Sequence, residues 1–217
     1  MIVHRLPART LAVLFDIDGT LYSHPAYQAF QTDVLIEELA RVRGRPVSEL
    51  RGDLDRFRAD YARTHGGAAT SLGNAMAALG VDMATSVAWR KRLLVPSRFL
   101  SSDALLRAAI AELHRAGMVL VAVTNNPRSV GIATLEALGV ADLFAGTVGL
   151  DDTLRSKPAR EPYLAAAALT GHAPEDCLSV GDRYDVDIAV PLELGMGGVL
   201  VDGVEDVYRL PGILALS

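Results

Sequence analysis

Asp16 and Asp18 close an apolar run in the stretch LAVLFDIDGTLY, Leu11 to Tyr22. Carboxylates can act as nucleophiles, as proton donors and acceptors, or as ligands of a hard cation. A spacing of two lets both side chains point roughly one way if the strand continues locally. Gly19 permits a backbone turn that most residues resist. Two other apolar runs end in polar residues: VLVAVTN, at Thr124 and Asn125, and CLSVGD, at Asp182. Only two of the 21 Lys and Arg residues are lysines, Lys91 and Lys157. A lysine kept against that bias is a candidate for a task that needs a compact point charge rather than a planar fork. Lys91 stands in Arg90-Lys91-Arg92, which reads as a solvated helix face. Lys157, in SKPAREPY, precedes a helix opening at Pro158, where proline suits the first turn.

These side chains can meet only if distant segments bring them together. Leu11 to Phe15 shows no alternation and turn residues follow at once, so it reads as a strand buried on both faces. From residue 22 to about residue 98 the periodicity is helical: Gln28–Arg43 with Val34, Leu35, Leu39 and Val42 on one side, then Val47–Arg63, Ser71–Leu79 and Asp82–Leu94. From residue 101 helices and strands alternate. Strands are expected at Met118–Val123, Leu143–Val148, Cys177–Val180 and Gly198–Val201. Helices are expected to Ala116 behind an Asp103 cap, at Ser129–Leu138, at Pro158–Thr170, and at Asp185–Leu194 with Asp185 as its cap. Such alternation implies parallel pairing with right-handed crossovers. In an open α/β sheet ligands bind beyond the carboxyl ends of the strands. One strand ending in an Asp-Gly turn is commonplace, but three apolar runs ending in polar residues point to a shared edge for Asp16, Thr124 and Asp182.

The chain has 217 residues, enough for one domain carrying an insertion. At 50% hydrophobic and 22% charged residues it has an ordinary globular composition. No apolar run is long enough to span a bilayer, so no membrane partner is expected. The net charge of −5 argues against a nucleic-acid polymer as partner. The N-terminal MIVHRLPART has no signal-peptide core, and the single cysteine, Cys177, excludes an internal disulfide. A cytoplasmic protein, monomeric or homodimeric, is the expectation.

The pattern LFDIDGTL resembles the first motif of the haloacid dehalogenase superfamily, whose members are mostly phosphatases. Thr124 with Asn125 is similar to the second motif. Lys157-Pro158, with Glu161 and Tyr163 downstream, is similar to the third. GDRYDVD, Gly181 to Asp187, resembles the fourth. The resemblance runs from Asp16 to about Gly198. It implies an α/β, doubly wound (Rossmann-like) parallel sheet core, residues 1–21 and 99–217, with an inserted all-helical cap domain, residues 22–98.

It also implies roles. Asp16 resembles the nucleophile that becomes an aspartyl phosphate, and Asp18 the acid that protonates the leaving oxygen and then activates water. Mg²⁺ would be held by the Asp16 and Asp182 carboxylates and the Asp18 backbone carbonyl. Thr124 and the Asn125 backbone amide would hold the transferring phosphoryl oxygens. Lys157 would neutralise charge, and Asp187 would orient Lys157 or a metal-bound water. Elementary electrostatics agrees. Like charges about 4 Å apart repel by roughly 4 kcal/mol at a surface-like dielectric, so four carboxylates at one edge need cations or raised pKa values. A hard divalent ion with oxygen ligands meets that need.

The expected substrate is a small phosphorylated metabolite. A nucleoside 5′-monophosphate is preferred, because YARTHGGAATSLGNAMAALGVD is similar to part of the cap of pyrimidine 5′-nucleotidases. A phosphoglycolate or sugar phosphatase, a phosphomutase, and a non-catalytic phosphate-binding protein are the alternatives.

Overall fold

The computed structural model describes residues 1–67 and 70–215. Positions 68–69, inside the expected cap, and 216–217, inside the expected core, lie outside the described residues. The chain divides into two compact units, Met1–His24 with Pro96–Ser217, and Pro25–Val95.

The first unit is built on a six-stranded sheet. Its strands are β1 (Ile2–Arg5), β2 (Ala12–Phe15), β3 (Val119–Val123), β4 (Gly146–Val148), β5 (Cys177–Gly181) and β6 (Gly197–Leu200), in the spatial order β1-β6-β5-β2-β3-β4. β2 lies between β3 and β5, parallel to both, with Phe15 opposite Ala122 on one side and Val180 on the other. The carboxyl ends of the three polar-terminated runs therefore reach the same edge. Every residue of β2 and β5 is buried. That is why these segments are apolar without alternation: helices cover both faces of a parallel sheet. One face carries Ala12, Leu14, Val121, Val123 and Cys177 against Tyr163, Ala166 and Ala167. Cys177 is buried there, and burial pushes its thiol up, which suits an inert packing residue.

The helix expected from Pro158 begins at Arg160, which leaves Pro158 ahead of its first turn, and Arg90, expected on a solvated helix face, is buried. Two larger features also differ from the sequence expectation. β1 adds an antiparallel edge strand, pairing Ile2 with Leu200. All four of its residues are exposed, so backbone hydrogen bonding rather than an apolar pattern makes it a strand. The other difference is the segment expected as one helix from Asp185. It starts as a π-turn, Tyr184–Ile188, and only then continues as a short α-helix, Ala189–Glu193. Asp185 is exposed and makes no capping bond. The wider turn carries an extra residue per turn and re-aims its side chains, as such turns do at functional sites.

The second unit is helical: α1 (Pro25–Arg43), α2 (Val47–Thr64), α3 (Leu72–Ala78) and α4 (Met83–Leu93). Leu35, Ile36, Leu39, Leu50, Leu54 and Met76 form its centre, with Trp89 packed against it. The seam of α1 therefore runs through Leu35, Ile36, Leu39 and Ala40, and Val42, expected on it, is 55% exposed. Ser71 and Asp82 cap α3 and α4 by accepting from Asn74 and Thr85 backbone N–H groups. No helix among the described residues is long and apolar enough to cross a membrane.

In the first unit the helices are α5 (Ala104–Arg115), α6 (Arg128–Leu138), α7 (Leu150–Thr153), α8 (Arg160–Thr170), α9 (Ala189–Glu193), α10 (Val204–Val207) and α11 (Leu210–Leu214). Asp103 caps α5 by accepting from the Leu105 and Leu106 N–H groups.

Candidate active site

The carboxyl ends of β2, β3 and β5 open into three loops, and the Lys157 loop joins them. Asp16 stands one residue past β2, its N–H bonded to the Val180 carbonyl of β5 at 2.9 Å. Lys157 is 2% exposed. Its Nζ donates to Asp16 Oδ1 at 2.6 Å and to Asp187 Oδ1 at 2.7 Å. Thr20 donates its hydroxyl to Asp16 Oδ2 at 3.1 Å, and the Arg183 N–H reaches Asp187 Oδ2 at 3.2 Å. A buried cation thus bridges two buried carboxylates that lie 171 residues apart in sequence as Asp16 and Asp187.

Asp182 stands beside this chain of charges. One oxygen from each of Asp16, Asp182 and Asp187 lies within 4.8 Å of the others. Asp182 Oδ1 is buried and has no hydrogen-bond partner among the described residues. Burial, and then the charges of Asp16 and Asp187, push the Asp182 carboxyl up to about 7. Burial also pushes Asp187 up, while Lys157 pulls the other way. For Lys157, burial alone would disfavour the ammonium, but the Asp16 and Asp187 charges outweigh it and hold its pKa above the ordinary lysine value.

Asp18 belongs to a separate group of contacts. Its Oδ2 accepts from Asn126 Nδ2 at 3.1 Å and from Thr124 Oγ1 at 3.5 Å, and its Oδ1 accepts from the Tyr22 hydroxyl. The carboxylate cluster therefore takes in Asp187 and leaves the Asp18 side chain outside. Thr124 is buried, its N–H bonded to Val148 of β4 and its hydroxyl accepting from the Asn126 N–H. The side chain of Asn125, whose backbone amide alone was expected to matter, clamps the Lys157 backbone. It accepts from the Lys157 N–H at 2.7 Å and donates to the Lys157 carbonyl at 3.2 Å.

Several contributors carried too little sequence signal to be singled out, and Tyr163 and Gly181 were legible as motif positions but not as contacts. Thr20 sits inside the first motif, four residues after Asp16, and that spacing was its only clue. Tyr22 and Asn126 approach Asp18 from different loops. Behind Asp187, Ser179 donates to the Asp187 carbonyl at 2.7 Å, and Tyr163 donates to the Val186 carbonyl. Gly181 is needed for space: a Cβ there would lie 2.3 Å from Asp187 Cβ. Gly181→Ala should therefore displace Asp187 from Lys157. We expect a loss of about 2 kcal/mol by urea unfolding, the scale of core overpacking, and a fall in turnover of at least about 100-fold, as for groups misplaced by an ångström. Wild-type turnover in a folded Gly181→Ala protein would contradict this account of Asp187.

The donor set fits a hard divalent cation. It consists of carboxylate oxygens only, one of them an orphan whose burial without a partner costs about 1–3 kcal/mol. Asp16, Asp182 and Asp187 are the side chains that would share such an ion. A proton on Asp182 competes with it, since ligands must be deprotonated. With the carboxyl near 7, Mg²⁺ affinity should be full above that pH and fall below it. Isothermal titration should show the apparent Kd rising about tenfold between pH 8 and pH 6. Asp182→Asn should remove that slope, and a wild-type Kd independent of pH would exclude Asp182 as the titrating ligand.

Comparison with known proteins adds three findings. The sequence pattern of the haloacid dehalogenase-like hydrolases matches residues 10–195. Among curated proteins, phosphoglycolate phosphatase of Salmonella typhi is 40% identical over 108 residues, 50% of this chain and 41% of that protein. Its counterpart from Escherichia coli K12 is 38% identical over 81 residues, 37% of this chain and 32% of that one. The chain thus spans less than half the length of these relatives. Among solved structures, a HAD phosphatase from Thermococcus onnurineus superposes with a TM-score of 0.62 at 21% identity, covering 94% of this chain and 97% of that one. The HAD-hydrolase YfnB from Bacillus subtilis, solved bound to magnesium, gives 0.59 at 16% identity over 94% and 99%. Both structural likenesses speak to the fold.

Proposed function

The chain belongs to the haloacid dehalogenase-like hydrolases, and from that premise we propose that it is a Mg²⁺-dependent phosphatase of small phosphomonoesters that works through a phosphorylated Asp16. The observation that carries this reading is the buried chain Asp16–Lys157–Asp187 with the orphan oxygen of Asp182 beside it. Such a site is short of positive charge on its Asp182 side and is rigidly organised on its Lys157 side. A dianionic phosphate arriving there requires that a cation fill the first and that Lys157 hold Asp16 in place.

Asp16 attacks phosphorus, and the bond to the leaving oxygen breaks as the bond to Asp16 forms. Asp18 gives its proton to the leaving oxygen. Water then attacks the phosphoryl group, Asp18 takes the water's proton, and inorganic phosphate departs from a regenerated Asp16. Lys157 offsets the charge that accumulates on Asp16 and the phosphoryl oxygens. Thr124 and the loop after β3 hold those oxygens. The divalent ion, when bound, supplies charge neutralisation and a contact to a phosphoryl oxygen. The inserted helical unit, Pro25–Val95, is assigned the part of the cap domain.

Asp18 favours phosphorus over carbon as the electrophile, because displacement at carbon does not need a proton donor two residues beyond the nucleophile. The nucleotide preference expected from the sequence gives way to phosphoglycolate, the substrate named for the curated relatives. The deciding experiment is kcat/KM across 2-phosphoglycolate, sugar phosphates and nucleoside 5′-monophosphates, each with Mg²⁺ and with EDTA. We expect Mg²⁺-dependent turnover with 2-phosphoglycolate best. Higher kcat/KM for a nucleotide would replace the substrate. Folded protein that binds phosphate yet turns over nothing, p-nitrophenyl phosphate included, would leave a binding protein.

A further inference from the structure

We infer that Tyr22 and Asn126 are positioning residues for Asp18, holding its carboxyl group in the one orientation from which it can protonate a poor leaving group. The inference rests on the reading of Asp18 as the proton donor and assigns that role two supports.

Asp18 is set on a loop just beyond β2, where a short side chain has two free torsions. Both are restrained here, because donors reach both oxygens, with Thr124 adding a longer contact to Oδ2 at 3.5 Å. The Tyr22 phenol donates to Oδ1 and the Asn126 amide donates to Oδ2 at 3.1 Å. The two donors come from different loops. Tyr22 lies four residues further along the same loop, whose backbone is tied by an isolated parallel bridge between Asp18 and Tyr22. Asn126 comes from the loop after β3, 108 residues away. Both side chains are buried, Tyr22 at 4% and Asn126 at 7% exposure. Asn126 is fixed on either side of its own Cα, because its N–H is bonded to Thr124 Oγ1 at 3.0 Å and its carbonyl accepts from Leu150 N–H at 2.9 Å. An amide held in that way is a fixed reference against which Asp18 is aimed. A carboxyl group offers about four lone-pair sites, so it can be held by these donors and still carry a proton.

The Tyr22 phenol and the Asn126 amide both donate to Asp18 itself. Their effect should therefore fall on proton delivery rather than on attack by Asp16. In the first half-reaction the P–O bond to the leaving group breaks while the P–O bond to Asp16 forms. The Asp18 proton goes to the departing oxygen. A p-nitrophenolate leaves without that proton, whereas an alkoxide needs it. Misaimed by a fraction of an ångström, the proton donor loses its advantage only where the leaving group is poor.

The test compares kcat/KM, which reports events up to the first phosphoryl transfer, for p-nitrophenyl phosphate and for the best alkyl phosphomonoester of the panel. Tyr22→Phe and Asn126→Ala should each lower the alkyl value by about 10–100-fold, a fraction of what a general acid contributes. Each should lower the p-nitrophenyl value by less than about threefold, since that step has little use for the proton. Asp18→Asn should show the same selectivity more strongly. A loss equal for both substrates, or no loss for either, overturns the inference. If Asp18→Asn itself fails to discriminate, the reading of Asp18 as proton donor falls instead. Thermal unfolding of each variant separates misfolding from misaiming, and Tyr22→Phe, which removes one oxygen atom from a buried ring, decides the matter if Asn126→Ala does not fold.

Discussion

Asp16→Asn should reduce turnover by at least about 10⁴-fold, the scale seen when an attacking group is removed from an enzyme that depends on it. Its carboxylate is the only one in the cluster that both meets the Lys157 ammonium, at 2.6 Å, and accepts the Thr20 hydroxyl, at 3.1 Å. These two contacts orient it beyond the end of β2, with its charge partly offset. The amide is isosteric, can still accept from Lys157 and leaves the Lys157–Asp187 pair intact, so the melting temperature should move by no more than a few degrees. The direct check is mass spectrometry of an acid-quenched reaction. It should find a phosphorylated peptide containing Asp16 in the parent protein and none in the variant. Substantial residual turnover, or phosphate on another carboxylate, would remove Asp16 from its place in the mechanism.

Lys157→Met should have the largest combined effect, on stability as well as activity. Methionine fills similar space but takes away the one cation shared by Asp16 and Asp187. Removing one member of a buried ion pair costs about 3–5 kcal/mol, because it leaves uncompensated charge. The sign of the pH dependence follows from the neighbours. Asp182 and Asp187 are already pushed above the usual carboxylate range by burial, and loss of Lys157 pushes them further. A carboxyl whose pKa rises on folding favours the folded state as protons are added. The stability gap between parent and variant should therefore be widest near pH 8 and close as pH falls through 7 towards 5. Urea unfolding in EDTA at pH 8, 6.5 and 5 measures it. Added Mg²⁺ should also narrow the gap at pH 8, since a bound cation replaces part of the missing charge. A gap that does not depend on pH would mean that Lys157 contributes packing rather than charge. In the parent protein the raised Lys157 value keeps the ammonium charged across this whole range, so none of the expected change comes from its own titration.

How the site could be read in advance differs residue by residue. Asp16, Thr124 and Asp182 follow directly from strand ends: each stands where a continuously apolar run stops, and parallel pairing forces those stops to one edge. Lys157 was legible from composition, as one of two lysines in an arginine-rich chain, and the structure seats it between two carboxylates. Asn125 was legible as a position but not as a contact. Its side chain holds the Lys157 backbone, a bond between loops that no local spacing reveals. Tyr22, Asn126 and Ser179 act through contacts at the sheet edge or behind it, and residues of these types have too many ordinary explanations to stand out, while Gly181 was legible as a motif position but not as the space that Asp187 needs. β1 escaped for a related reason, since an exposed edge strand is made by backbone pairing with β6 and leaves no mark on the side-chain pattern. On α1, helical periodicity pointed correctly to Leu35 and Leu39, but which neighbour completed the seam depended on the packing of α2 to α4, and Ile36 rather than Val42 was buried.

The amino-acid order by itself determined the alternation of strands and helices, the inserted helical block, and the residue types that meet at one edge. It could do so because burial on both faces demands unbroken apolar runs and because chain polarity fixes where those runs end. Only the tertiary structure decided which carboxylates share the cluster and which one stands apart. Asp187 joins Asp16 and Asp182 because a π-turn aims it at Lys157, while Asp18 faces Tyr22 and Asn126. Two of those three contacts join residues 30 and 108 apart in sequence, where Coulomb and hydrogen-bond energies change steeply over a few ångströms and local sequence preferences have no reach.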